Sequence, residues 1–283
     1  MSWGESSTVR VNGVAYRVVS AGTGQPLLML HGFTGSADAW QLVAPPIARH
    51  RRVIAVDLLG HGQTDAPEDP ARYQMAPAVA DLAAVLDQLG HETVDLLGYS
   101  MGGRLALGFA LDHPDRVASL ILESASAGIA DPAEREARRR ADDQLADAIE
   151  RDGIVAFVDR WERLPLFATQ MRLGKQERNR VRKGRLAQRP GGLANSLRGF
   201  GQGIQPALHD RLASIVRPTV LIVGEHDVKF RAIANDLEPR LGWAWCDVAP
   251  RTGHAVHLES PHWYTDAVLD HLTAGDEEAD EED

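Results

Sequence analysis

The chain has a single cysteine, Cys246, in 283 residues, so no internal disulfide can form. A disulfide-stapled secreted scaffold is therefore excluded, and a reducing compartment is expected. No apolar run approaches the roughly 20 residues that a membrane helix needs, so no membrane insertion is expected. Met1 to Arg10 contain no apolar stretch and no cleavage site, which argues against a secretory leader. Together these absences point to the cytoplasm. There is no dinucleotide fingerprint and no phosphate loop, so no cofactor is expected. His61 and His91 lack ligand-spaced partners, so no metal is expected. No basic patch is interleaved with aromatics, which disfavours nucleic acid.

Charge is present but unevenly placed. The formal total is −10, yet seven acids sit in the last eight residues, Asp276 to Asp283, and the rest of the chain is nearly neutral. That tail has nothing to bury and is expected to be disordered. Residues 131–190 carry 15 Arg and Lys against 11 Asp and Glu, half of the chain's 30 basic residues. Solvated helix faces would account for such a segment as readily as a binding surface.

The hydrophobic pattern alternates between strand and helix. Thr8–Val11 and Ala15–Ser20 flank Asn12-Gly13 as a hairpin. Pro26–Leu30, Arg52–Asp57, Thr93–Leu97 and Val117–Glu123 read as buried strands. Asp38–Arg49 reads as a short helix interrupted by Pro45-Pro46, and Ala76–Leu89 as an amphipathic helix ended by Gly90. Leu105–Leu111 is helical. From Gly128 to about Pro206 the chain is helical, charged and without a good strand. Alternation resumes with Pro218–Val223, Arg231–Arg240, Trp243–Val248 and His262–Leu272. The expected fold class is α/β, a mostly parallel central sheet with helices on both faces. The expected organisation is a core from 1–127 and 207–275, a helical lid insertion at 128–206 and an acidic tail at 276–283.

One motif carries chemistry. Gly98-Tyr99-Ser100-Met101-Gly102 is a G-x-S-x-G sequence between a strand and a helix, the context that such a nucleophile turn requires. The turn exposes Ser100 at a helix N-terminus, where partial positive charge favours a developing anion. A serine hydroxyl needs a base, and the base needs an orienting carboxylate. Asp227 follows one strand and His254 the next, in the chain order Ser, Asp, His, at the carboxyl ends of strands where open α/β sheets place their sites. Glu225 competes with Asp227, and His226 and His257 compete with His254; order and placement favour Asp227 and His254. The amides of Phe33, after His31-Gly32, and of Met101 are candidates for an oxyanion hole. His31 itself reads as a structural histidine that bonds the loop.

These motifs resemble the α/β-hydrolase superfamily over nearly the whole chain, through Leu30-His31-Gly32-Phe33, Asp57-Leu58-Leu59-Gly60-His61-Gly62, the serine turn and Gly253-His254. More narrowly the chain is similar to the 2-succinyl-6-hydroxy-2,4-cyclohexadiene-1-carboxylate synthases, lyases of menaquinone biosynthesis. That likeness rests on Arg104 one helical turn after Ser100, on Glu134-Arg135 with Arg138, and on the stretch from Phe157 through Trp161 and Pro165 to Phe167. It rests also on Arg185 before the run Gly192–Gly199, on Gly224–Phe230, and on Gly253–Glu259. Gln202 departs from it, standing where a small hydroxyl residue is expected.

The resemblance implies a reaction: loss of pyruvate from a cyclohexene that carries three carboxylates. It implies Arg104, Arg138 and Arg185 as carboxylate ligands, a role that suits the guanidinium fork. Tyr99 and Trp161 are expected to line the pocket, or else to pack the lid on the core. The expected partner is thus a small polycarboxylate substrate. The same apparatus would serve a carboxylesterase or a carbon–carbon hydrolase, and without turnover it would be a ligand-binding module.

Overall fold

The computed structural model describes residues 3–281, with side chains up to Thr273. Eight strands form one sheet in the order β1-β2-β4-β3-β5-β6-β7-β8. The strands are β1 (Glu5–Val11), β2 (Val14–Ala21), β3 (Pro26–Leu30), β4 (Arg52–Val56), β5 (Val94–Tyr99), β6 (Val117–Glu123), β7 (Thr219–Gly224) and β8 (Ala244–Ala249). The β1–β2 and β2–β4 pairs are antiparallel and the other five pairs are parallel. Asn12 and Gly13 both take positive φ, 49° and 79°, and so close the expected hairpin tightly.

The central strands are buried on both faces. Leu28, Leu30, Ile54, Val56, Leu96, Leu120 and Leu221 point to one side. There they meet α2 (Met75–Leu89), α3 (Met101–Asp112) and α7 (Val228–Leu237). Leu27, Met29, Val53, Ala55, Leu97, Ile121 and Val220 point to the other. That side is covered by α1 (Ala44–Ile47), α8 (Val256–Glu259) and α9 (Pro261–Glu281). This alternation within continuous apolar runs is what a doubly covered parallel sheet requires.

Some boundaries differ from those read in the sequence. Pro45 and Pro46 open α1 rather than interrupt a longer helix, because a first-turn proline has no N–H to lose; a 3₁₀ turn, Ala37–Leu42, precedes it. α3 begins at Met101, directly after Ser100, and α7 begins at Val228 because the Asp227 side chain caps it. α9 runs on to Glu281 through most of the acidic segment expected to be disordered; Glu282 and Asp283 lie outside the described residues.

No strand forms between β6 and β7. α4 (Pro132–Trp161), α5 (Lys175–Leu186) and α6 (Pro190–Phe200) fill that interval. α4 is broken at Gly153, whose φ of 80° and ψ of 173° no helix contains. These helices have their own small apolar core of Ala146, Ile149, Phe157, Val158, Leu193, Ala194 and Leu197, with Phe33 against it. They meet the sheet domain closely at Gly192, where a Cβ would overlap the backbone of Gly60.

Candidate functional site

β5 delivers Ser100 to the carboxyl edge of the sheet. Its φ of 51° and ψ of −104° are strained for a residue with a Cβ, a cost of order 1–3 kcal/mol that tight surroundings must hold. Gly102 permits the approach, since a Cβ there would overlap the Leu30 carbonyl. The Ser100 N–H donates to the Glu123 carbonyl at 2.8 Å.

The Ser100 hydroxyl lies 3.1 Å from His254 Nε2, and His254 Nδ1 lies 2.7 Å from Asp227 Oδ2. A carboxylate only accepts, so a neutral His254 carries its proton on Nδ1, and Nε2 accepts from the serine. Asp227 Oδ1 accepts the Phe230 N–H at 3.2 Å, which fixes the carboxylate plane. The Phe230 ring packs on the imidazole with their centres 4.5 Å apart. The competitors are engaged otherwise, although His257 also lines the cavity. Glu225 accepts the Arg251 N–H, His226 is exposed, and His257 turns to Glu123.

Phe33 and Met101 both border the cavity beside Ser100, and among the described residues neither amide has a hydrogen-bond acceptor. Two free donors next to a serine are what an oxyanion site needs. His31 is tied into the loop, as its sequence context suggested. Its Nε2 accepts the Leu58 N–H at 2.9 Å and its Nδ1 faces the Gly32 carbonyl at 2.8 Å. Burial pushes its pKa down to about 4, and that of neighbouring His61 down to about 3. Asp57 accepts from the Ala37 and Gln63 amides, which makes its stretch a loop brace.

A cavity of about 270 Å³ opens over Ser100, between the sheet domain and the helices that follow β6. Tyr99, Trp161, Phe167 and Phe230 supply aromatic walls, and Arg104, Arg138 and Arg185 all reach it. Arg104 is 7 % exposed and, among the described residues, makes no direct ion pair with a carboxylate, Asp142 acting on it only from a distance; it donates to the Phe200 carbonyl at 2.9 Å and to Gln205 at 2.6 Å. Burial, with Arg138 nearby, pushes its pKa down to about 9, so it is still a cation at neutral pH. Arg138 is paired with Asp142 at 2.8 Å, whereas its neighbour Arg139 is turned to Glu136 and Asp143. Arg185 lies over the Phe167 ring and donates to Gln170 at 3.0 Å and Glu162 at 3.4 Å.

The sequence reading did not single out Arg180 or Lys229, which also line the cavity. Asp38 is the one carboxylate residue among the lining residues, and both of its oxygens accept from Arg17 rather than from these five cations. Gln202 lines the cavity too and accepts from Arg138 at 2.6 Å. Among the described residues no group of three or more His, Cys, Asp or Glu is placed to hold a metal ion. Among them, too, no helix is long and apolar enough to cross a membrane.

Comparison with known proteins gives this geometry a context. A family model described as alpha/beta hydrolase fold matches residues 25–261. A Bacillus subtilis (strain 168) protein, provisionally named a 2-succinyl-6-hydroxy-2,4-cyclohexadiene-1-carboxylate synthase, is 44 % identical over 265 residues, which cover 93 % of this chain and 96 % of that one. The chain belongs to this synthase family within the α/β-hydrolase fold. A Shigella flexneri synthase of the same name is 31 % identical over 83 % of this chain and 88 % of its own. The structure of MenH from S. aureus superposes with a TM-score of 0.88 at 33 % identity, covering 92 % of this chain and 98 % of that one. The fold class and the family implied by the sequence motifs therefore both hold.

Proposed function

We propose that the protein eliminates pyruvate from 2-succinyl-5-enolpyruvyl-6-hydroxy-3-cyclohexene-1-carboxylate, giving 2-succinyl-6-hydroxy-2,4-cyclohexadiene-1-carboxylate in menaquinone biosynthesis. The observation that carries this reading is Arg104: a buried guanidinium that among the described residues has no carboxylate in direct contact, one helical turn from Ser100, in a cavity rich in cations. A buried charge left unpaired costs several kcal/mol unless a ligand supplies its partner. A tricarboxylate supplies three. An esterase for neutral substrates has no use for this arrangement.

In this reading Asp227 holds the His254 tautomer, and His254 takes the Ser100 proton. Ser100 Oγ then removes the ring proton beside the succinyl ketone, in general-base fashion. The ketone oxygen becomes an enolate and rests on the Phe33 and Met101 amides, each such donor contributing about 3 kcal/mol. The electron pair moves through the ring alkene and expels the enolpyruvyl oxygen. The departing enolate takes back a proton and becomes pyruvate. No acyl-enzyme forms and no water is consumed. Arg104, Arg138 and Arg185 bind the carboxylates, Tyr99 and Trp161 flank the ring, and residues 128–206 act as a lid that keeps water out. We take the enzyme to work in the cytoplasm, where its lone thiol stays reduced.

Product analysis tests this. The enolpyruvyl precursor should yield pyruvate and the conjugated cyclohexadiene in equal amounts. Pyruvate without the diene would mean hydrolysis, and the lyase assignment would fall.

A further inference from the structure

Glu123 ends β6 fully buried, at 0 % exposure, and the proposed reaction makes no use of it. Its backbone carbonyl accepts the Ser100 N–H at 2.8 Å. Its side chain reaches the other way. Oε1 accepts the His257 N–H at 3.2 Å, and His257 Nδ1 lies 2.9 Å from both carboxylate oxygens. His257 is itself buried, three residues beyond His254, with buried Ala255 and Val256 between them. Its ring stands 4.7 Å from Tyr99 and 4.8 Å from Trp40. Tyr99 in turn lies 5.4 Å from the His254 ring.

One residue thus holds the serine turn by its main chain and the histidine loop by its side chain. Those two loops come from different strands, and the proposed proton transfer needs them in register. Hydrogen-bond reach between a base and its partner spans only about 2.6–3.2 Å, and a misplacement near 1 Å can cost about a hundredfold in rate. The Ser100–His254 separation of 3.1 Å is already at the long end of that range. A buried carboxylate is also costly to keep, so a filler role would be served better by an apolar side chain.

We propose that Glu123 is a positioning residue which, through His257, sets the Ser100–His254 hydrogen bond. The inference rests on Ser100 and His254 as the reacting pair, but not on the identity of the substrate. It does not make His257 a second base.

Glu123→Gln preserves shape and removes the carboxylate. In folded protein kcat should fall about tenfold or more while KM stays within about twofold, because the cavity arginines are untouched. In a His254→Ala background the same substitution should change the residual rate less than about twofold. A direct readout is the ring-nitrogen NMR shift of His254 Nε2. The change in that shift caused by Ser100→Ala reports their hydrogen bond, and it should shrink when Glu123 is Gln. An undiminished change, or an equal rate loss in both backgrounds, overturns the proposal. If Glu123→Gln does not fold, His257→Gln tests the link from its other end, with the same expectations for kcat, for the His254→Ala background and for the His254 resonance but not for KM, since His257 lines the cavity. If the wild-type protein releases no pyruvate, the substrate reading fails, while the His254 resonances still decide this one.

Discussion

Arg104 and Gln205 are joined by a 2.6 Å hydrogen bond, a neutral amide standing where a buried guanidinium ordinarily meets a carboxylate. The charge is held in place without being neutralised. Such a site is destabilising when empty and attractive to an anion. Arg104→Met should therefore lower kcat/KM at least about thirtyfold, roughly 2 kcal/mol, and raise Tm by a few degrees. Steady-state kinetics and calorimetry on the same preparation check both. A lower Tm would mean that the arginine is a structural support.

Asp227 fixes the proton of His254 on Nδ1. Asp227→Asn presents an amide that can donate to Nδ1 and so favours the wrong tautomer. The expected loss in kcat is on the order of 10³–10⁴, with KM little changed. A loss under tenfold would separate Asp227 from the chemistry. Its capping of α7 survives in Asn, so the fold should hold.

His31 and His61 link stability to pH. Both are neutral and buried, with pKa values pushed down to about 4 and about 3, whereas an unfolded histidine titrates near 6.5. Between those values the unfolded chain binds more protons, so stability rises with pH. The contribution is complete above about pH 6.5 and is lost as pH falls toward 4, at up to ~3 kcal/mol for each ring. Denaturant titrations from pH 7 to 4.5 should show this decline. A flat profile would refute it.

Gly192 is where α6 meets the Gly60 loop. Gly192→Ala forces the two backbones apart at a cost of about 1–3 kcal/mol. Its effect should fall on KM more than on kcat, because it shifts the helices that carry Arg138 and Arg185 rather than Ser100. The split is read from substrate titration of the variant.

Much of this architecture was legible because it is written in short-range patterns. The β3 and β4 runs are almost wholly apolar, and β6, apolar except for Ser119 and Glu123, has the bounds Val117 and Glu123 that its pattern predicts. Ser100, Asp227 and His254 each follow a strand, and strand ends define the site of a parallel sheet. Less was legible where position depends on three-dimensional fit. Arg180 and Lys229 look like ordinary surface charges in the sequence, and only the placement of α5 and α7 turns them to the cavity. Gln202 stood out as an irregularity without revealing that it would brace Arg138. His257 read as a competitor to His254, and nothing in the spacing disclosed its pairing with Glu123, 134 positions away.

The central claim is serine-dependent elimination of pyruvate, and one assay addresses it. The precursor is mixed with wild-type protein, with Ser100→Ala, or with no protein, and pyruvate is followed through a coupled dehydrogenase. The account predicts release well above the spontaneous rate for the wild type, and a fall of about a thousandfold or more toward that rate for Ser100→Ala. Wild-type release no faster than the spontaneous reaction, or full activity without the Ser100 hydroxyl, would contradict it.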